Sequence, residues 1–288
     1  MAKKKHHSTK PLDKLLRVPD GPVRLADHDS AATPGYPGKG KQDAPALTAA
    51  LVPELSDLQE RLYANSKFDA EAPNVLLILQ GLDTAGKGGV IRHAIGLVDP
   101  QGVKIHAFKT PSAEERKHHY LWRVRKALPE RGIIGIFDRS QYEDVLVVRV
   151  DSLVGEDVWS QRYAEINEFE AELAAAGTKI IKCMLHVSQD EQAKRLEARL
   201  LDRTKHWKYN PSDLDTRAKW PAYQEAYEAA LTLCNTAAAP WHIVPSDRKW
   251  YRNWAVAELL REALASLNLE WPKATYDVSA ELERLRGM

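Results

Sequence analysis

Aliphatic residues gather in five short runs along the chain, at residues 75–80, 103–108, 132–137, 179–187 and 241–244. Each is short enough for a strand and too short for a buried helix. Between them the apolar positions recur at helical spacing. Leu55, Leu58, Leu62 and Tyr63 predict a helix ending near Asn65, and further helices are expected over 112–128, 159–176, from Ser188, over 212–233, and from Ser246 toward Leu267. Ser112 with Glu115 and Ser188 with Glu191 have capping-box spacing, which marks two of the helix starts. Strand followed by helix, repeated through the chain, is the order of an α/β domain.

The ends are different. Residues 1–50 carry KKKHH and the segment TPGYPGKGKQDAP, whose prolines and glycines resist regular structure. A flexible basic arm or an extended strap is expected there, ahead of a domain at 51–270 and a tail at 271–288 that packs across the surface. Trp220, Tyr223 and Tyr227 are read as core.

The first strand runs into G-L-D-T-A-G-K-G-G, residues 81–89. Gly81 and Gly86 bracket four residues and Lys87 follows, the spacing of a P-loop, in which backbone N–H groups cradle phosphates. Gly88 and Gly89 extend the phosphate-binding stretch. Lys87 supplies a point charge for the transferring phosphate. In the common P-loop a Ser or Thr follows the lysine and holds magnesium, whereas here Gly88 has no side chain to offer. Asp83 within the loop is the candidate replacement, since magnesium favours carboxylate, water and phosphate oxygens.

The third strand ends in Asp138-Arg139-Ser140. A carboxylate at such a strand end is the second half of a nucleotide-site signature, and Arg139 can bond phosphate oxygens in a fork. Two other segments are cationic. Residues 116–131 hold six Lys or Arg against Glu130, with His118, His119, Tyr120 and Trp122 interleaved. Alone, such a run is a solvated helix face or an anion surface; its place after the second strand of a P-loop fold favours the latter. Arg195, Arg199 and Arg203 sit four apart and repel one another on a shared helix face, with Lys205 and Lys208 beyond. Glu197 and Asp202 compensate in part, and a bound polyphosphate would do so more fully. A mobile lid at about 190–220 is expected.

Composition narrows the setting. The chain has 288 residues, 44% hydrophobic and 28% charged, with net charge +1, so a polyanion must be met by local patches. No run approaches a membrane span and the start lacks an apolar signal region, which predicts a cytoplasmic protein without membrane or nucleic-acid partners. Cys183 and Cys234 are expected as reduced, buried thiols.

Taken together, GLDTAGKGG, FKTPSAEE, LWRVRKALPERG, IGIFDRSQYEDVLVVRV, HWKYNPSD and APWHIVPSDRKWY resemble the polyphosphate kinase 2 family from about Leu58 to Leu260. The resemblance implies a three-layer P-loop kinase fold with a parallel central sheet and a helical lid. It implies phosphoryl transfer between inorganic polyphosphate and AMP, ADP or ATP, with magnesium or manganese, in a homo-oligomer. It also implies metal and catalytic roles for Asp83 and Asp138, catalytic roles for Lys87 and Arg139, and polyphosphate guidance by the lid arginines. Lys109, Arg123 and Glu143 fall in the nucleotide-acceptor region. The segment YEDVLVVRV resembles the subgroup using AMP and ADP, although that subgroup more often has Asn at the place of Asp138 and an acid at the place of His119. An ATP-dependent kinase of a small metabolite would share sheet, loop and lid, and would be distinguished by an inert polyphosphate. A non-catalytic sensor would bind without transfer.

Overall fold

The computed structural model describes residues 10–288, so the KKKHH run lies outside the described residues. All five expected strands form: β1 (Asn74–Gln80), β2 (Val103–Ala107), β3 (Ile134–Asp138), β4 (Thr178–His186) and β5 (Trp241–Pro245). They make one sheet in the order β2-β3-β1-β4-β5, with every neighbouring pair parallel. β1 is buried along its whole length because helices cover both faces, which is why it reads as an unbroken aliphatic run.

The strand period divides the core. Leu76 and Ile78 face one layer with Phe137, Ile180 and Met184, packing on α5 (Leu121–Ala127), α8 (Arg162–Ala175) and α11 (Trp220–Leu233). Val75, Leu77 and Leu79 face the other, against α1 (Leu12–Leu16), α3 (Val52–Asn65), α4 (Lys87–His93) and α12 (Lys249–Ala265). The remaining helices are α2 (Ala44–Ala49), α6 (Val147–Val150), α7 (Glu156–Trp159), α9 (Gln189–Leu201), α10 (Ser212–Ala218) and α13 (Val278–Arg286). Both cysteines are free and buried. Among the described residues no helix is long and apolar enough to cross a membrane.

Four expectations change. The N-terminal segment is no flexible arm in its described part: it is a strap around the edge of β5. Leu12 and Leu16 sink beside α12, where the Glu262 carboxylate accepts the N–H groups of Leu12 and Asp13, each at 2.8 Å. Pro11 offers no capping side chain, so a distant carboxylate supplies the cap. The Val18 N–H donates to the Trp241 carbonyl at 2.8 Å, Leu25 enters the opposite layer, and its N–H reaches Glu228 on α11 at 2.7 Å. Proline and glycine forbid long helices here, but five spaced apolar anchors (Leu12, Leu16, Val18, Val23 and Leu25) hold the strap, and the sheet edge is covered.

The helix expected over 112–128 is broken. Ser112 and Glu115 form both halves of their capping box, at 2.7 and 3.2 Å, but only a short turn follows before His118 becomes extended and α5 begins. Likewise the 212–233 pattern is two helices, α10 and α11, divided at Lys219 just before Pro221. At the C-terminus, residues 269 and 270 lie on α3, accepting bonds from Arg61 and Asn65, whereas α13 buries none of its residues.

The strap's docking carries a pH dependence. Asp13 Oδ1 lies 2.9 Å from His242 Nε2, and the hydrogen bond to His242 outweighs burial to hold the carboxyl down at about 2. A folded pKa depressed below the unfolded value near 4 contributes stability present above pH 4 and lost as pH falls through 2. Asp13→Asn is therefore expected to destabilise the protein by about 1 kcal/mol at pH 7, a figure discounted for solvent screening. Urea unfolding at pH 7 and at successively lower pH should show the difference between wild type and variant shrinking below pH 4. A difference independent of pH would remove the carboxylate's charge from the account.

Candidate active site

β1 and β3 are neighbours, with Leu79 opposite Asp138. Their C-terminal ends therefore bring the glycine-rich loop and Asp138-Arg139 into one crevice, where an open parallel sheet places its ligands. Loop geometry fits close approach of an anion. Gly81 has φ +152° and Gly86 φ +113°, and a Cβ at Gly81 would stand 2.9 Å from the Leu185 carbonyl. Thr84 and Arg139 adopt φ +66° without being glycine, so both halves of the site hold a residue in the left-handed region. Gly88 is the opposite case: a Cβ there meets nothing within 4 Å. The loop has room for the common Ser or Thr and does without it.

Lys87 opens α4 and donates from Nζ to the Gly81 carbonyl at 2.7 Å. Burial pulls its pKa down, Arg139 adds to that, and Asp138, Asp83 and Glu143 oppose it. Arg139 Nη2 lies 3.1 Å from Asp83 Oδ1. Burial works against the charge of Arg139, yet Glu143, Asp83, Tyr227 and Asp138 outweigh it and its pKa is raised. Glu143 is pushed up by burial, with Arg139 and Lys87 pulling the other way. Two cations and three carboxylates thus share one low-dielectric crevice.

Among the described residues no three His, Cys, Asp or Glu side chains form a metal-binding group. A hard cation held by one or two carboxylates needs no such group, since phosphate oxygens and water complete its shell. Asp83 in the loop and Asp138 at the end of β3 are the candidate donors, with Glu143 beside them.

The segment after β3 is pinned residue by residue. Tyr142 is buried, its hydroxyl donating to Glu170 Oε1 at 2.8 Å and accepting from Lys182 Nζ at 2.7 Å. Asp144 takes Arg162 at 3.2 Å and Arg123 at 3.5 Å. Glu143, between them, is left to face Lys87 and Arg139. Arg123, expected at the acceptor, is therefore a buried brace: besides Asp144 it donates to the Lys109 carbonyl at 2.8 Å and covers the Phe108 ring. The Lys109 side chain is exposed nearby.

The lid arginines do not act as a row. Arg195 is buried and clamps the carbonyls of Thr84 at 2.9 Å, Ala85 at 3.2 Å, Ser246 at 2.6 Å and Asp247 at 2.9 Å, with Glu191 as its ion partner at 2.8 Å. It is a strut for the loop with no free edge for polyphosphate. Arg199 pairs with Asp213 at 3.3 Å, and α9 ends before Arg203, which is exposed with Lys205 and Lys208 on a 3-10 turn. The compensating acids are Glu191 and Asp213; of the two expected, Asp202 pairs only with Lys205, at 2.6 Å.

Other contributors carried no motif. Gln192 reaches the Asp83 carbonyl at 3.3 Å, tying α9 to the loop. Tyr223 and Tyr227 are core, as expected, and their hydroxyls also feel Glu143, Asp83 and Arg139. The aromatic spacing of α11 was the available signal for them; for Gln192 there was none.

Comparison with known proteins now bears on this geometry. The family model described as Polyphosphate kinase 2 (PPK2) matches residues 39–271. Over 261 residues the chain is 45% identical to the AMP/ADP-polyphosphate phosphotransferase of Meiothermus ruber, spanning 90% of this chain and 96% of that protein. It is 39% identical over 286 residues to the ADP-polyphosphate phosphotransferase of Rhodopseudomonas palustris, spanning 95% and 96%. The crystal structure of polyphosphate kinase 2 from Arthrobacter aurescens superimposes with a TM-score of 0.94 at 49% identity, covering 97% of this chain and 98% of that one. Matches that run through strap, sheet and lid alike mean that the chain belongs to the polyphosphate kinase 2 family.

Proposed function

We propose that the chain transfers phosphate between inorganic polyphosphate and AMP or ADP by in-line displacement, with magnesium or manganese as the metal. The observation that carries this reading is the meeting of Lys87 and Arg139 with Asp83, Asp138 and Glu143 at the ends of β1 and β3. Relatives whose names state both donor and acceptor support it.

Phosphoryl transfer asks the protein mainly for positioning and for neutralisation of charge on the transferring group. Loop amides and Lys87 hold one phosphate, and Arg139 is released from Asp83 to bond the next. Asp83 and Asp138 would hold the metal, which would screen the repulsion between phosphates and help neutralise charge on the transferring group. Arg199, Arg203, Lys205 and Lys208 meet the polyanion at the lid, while Lys109 and Glu143 face the acceptor. Arg195 and Arg123 support these groups from behind. The setting that goes with this reading is a cytoplasmic homo-oligomer with no nucleic-acid or membrane partner.

Incubation with long-chain polyphosphate and AMP or ADP, followed by chromatography, is expected to yield ADP and ATP; activity with ATP and an inert polyphosphate would overturn the reading. Lys87→Ala is expected to lower kcat at least about 100-fold while the unfolding midpoint is kept. Asp83→Asn should raise the magnesium needed for half-maximal rate about tenfold, and an unchanged metal requirement would refute its role as a ligand. Glu143→Gln should raise KM for the nucleotide several-fold and leave that for polyphosphate unchanged; the reverse split would move Glu143 to the donor side.

A further inference from the structure

Four lysine or arginine side chains are buried among the described residues: Arg123, Lys182, Arg195 and Arg252. Three have a carboxylate partner, respectively Asp144, Glu170 and Glu191. Arg252 has none, although it is only 3% exposed. It lies in the first turns of α12 with its guanidinium against the glycine-rich loop. Nη1 donates to the Ala85 carbonyl at 2.9 Å, while Nε and Nη2 bond the Asn253 side chain at 3.2 and 2.8 Å. A Cβ at Gly86 would stand 1.8 Å from Nη1, and one at Gly89 2.6 Å from Nη2. The guanidinium thus occupies the space a side chain would need at both glycines, and at Gly86 the positive φ adds to that demand.

A buried cation without a counter-ion is costly, and Arg195 close by makes it costlier. Burial and Arg195 together hold the Arg252 pKa down at about 9. The Ala85 carbonyl and the Asn253 amide oxygen leave the charge without a counter-ion, and an arriving anion would offset its cost. We infer that Arg252 is a positioning residue whose counter-ion is the phosphate cradled by residues 81–89, so that its charge supports phosphate binding through the loop. The inference rests on the reading that this loop takes a phosphate chain, and it assigns the counter-charge to a side chain outside the P-loop and the lid.

A structural brace and a charge awaiting its anion respond differently to substitution. Arg252→Met removes a desolvated cation, so the free protein is expected to unfold at the same temperature as wild type or higher. Its affinity for magnesium tripolyphosphate, measured by calorimetry on the full chain, is expected to fall about 30-fold. KM for polyphosphate should rise while KM for ADP stays within about twofold. Arg252→Gln keeps a donor for the Ala85 carbonyl and removes only the charge, and the same loss of affinity is expected. Arg252→Lys should recover most of it. A lowered unfolding midpoint in the Met variant, together with wild-type affinity in the Gln variant, would make Arg252 a brace and overturn the inference. Wild-type affinity in Arg252→Gln alone would also overturn it and leave the loop's phosphate site standing. A wild-type protein that bound no tripolyphosphate would overturn both.

Discussion

The site depends on the ladder between β1 and β3, which continues one residue past the last strand pair. Arg139 N–H donates to the Leu79 carbonyl at 3.1 Å, just where Arg139 turns to positive φ. That bond fixes where the chain leaves β3 relative to where it leaves β1. A shift of register by one residue would turn Asp138 to the other face of the sheet and separate it from Lys87. The aliphatic positions Leu76, Ile78 and Phe137 on one face, and Val75, Leu77, Ile134 and Ile136 on the other, are what forbid that shift, because each slip would exchange the two cores. Position at the site is therefore set by packing several residues away from it.

On this frame charge is concentrated against its own repulsion. The acids around Arg139 hold its charge against burial, whereas those beside Lys87 offset only part of what burial and Arg139 take from it. Arg195 and Arg252 repeat the pattern behind the loop, both bonded to the carbonyl of Ala85. The protein holds four cations around a nine-residue loop, an arrangement whose natural complement is a chain of phosphates. Arginine suits the rear positions, since its charge persists on burial and one guanidinium can bond several carbonyls at once, as Arg195 does.

How far this was legible in the sequence differs from element to element. All five strands were visible: β1, β3, β4 and β5 because strands buried on both faces leave apolar runs, β2 by its alternation, and β1 also because it leads directly into a loop of recognisable spacing. Asp83, Lys87, Asp138 and Arg139 could be named for the same reason: Asp83 and Lys87 lie in the loop that leaves β1, and Asp138 and Arg139 at the end of β3. The lid was misread in detail. Arg195, Arg199 and Arg203 share a helical spacing, and spacing does not reveal that Arg195 turns inward to four carbonyls or that the helix stops before Arg203. The strap was half legible, since its prolines announce the absence of long helices but its anchors pair with residues more than 200 positions away. Arg123 was read by its place in a basic run, whereas its partner Asp144 belongs to another element.

The segment 141–144 shows what the core gives up to orient one side chain. Lys182 and Glu170 are wholly buried and bonded at 2.6 Å, with Tyr142 and the Cys234 carbonyl taking the remaining ammonium protons at 2.7 Å. Gln141 adds a bond to Glu170 at 2.9 Å. An apolar cluster of the same volume would hold β4 against α8 as well or better, because the desolvation of two charges is rarely recovered in full. What an apolar cluster lacks is direction. The network fixes Tyr142 by its hydroxyl and Gln141 by its amide, Asp144 is fixed on the other side by Arg123 and Arg162, and the backbone between them has no freedom left to turn Glu143 away from Lys87. Buried charge in this layer serves geometry at the crevice.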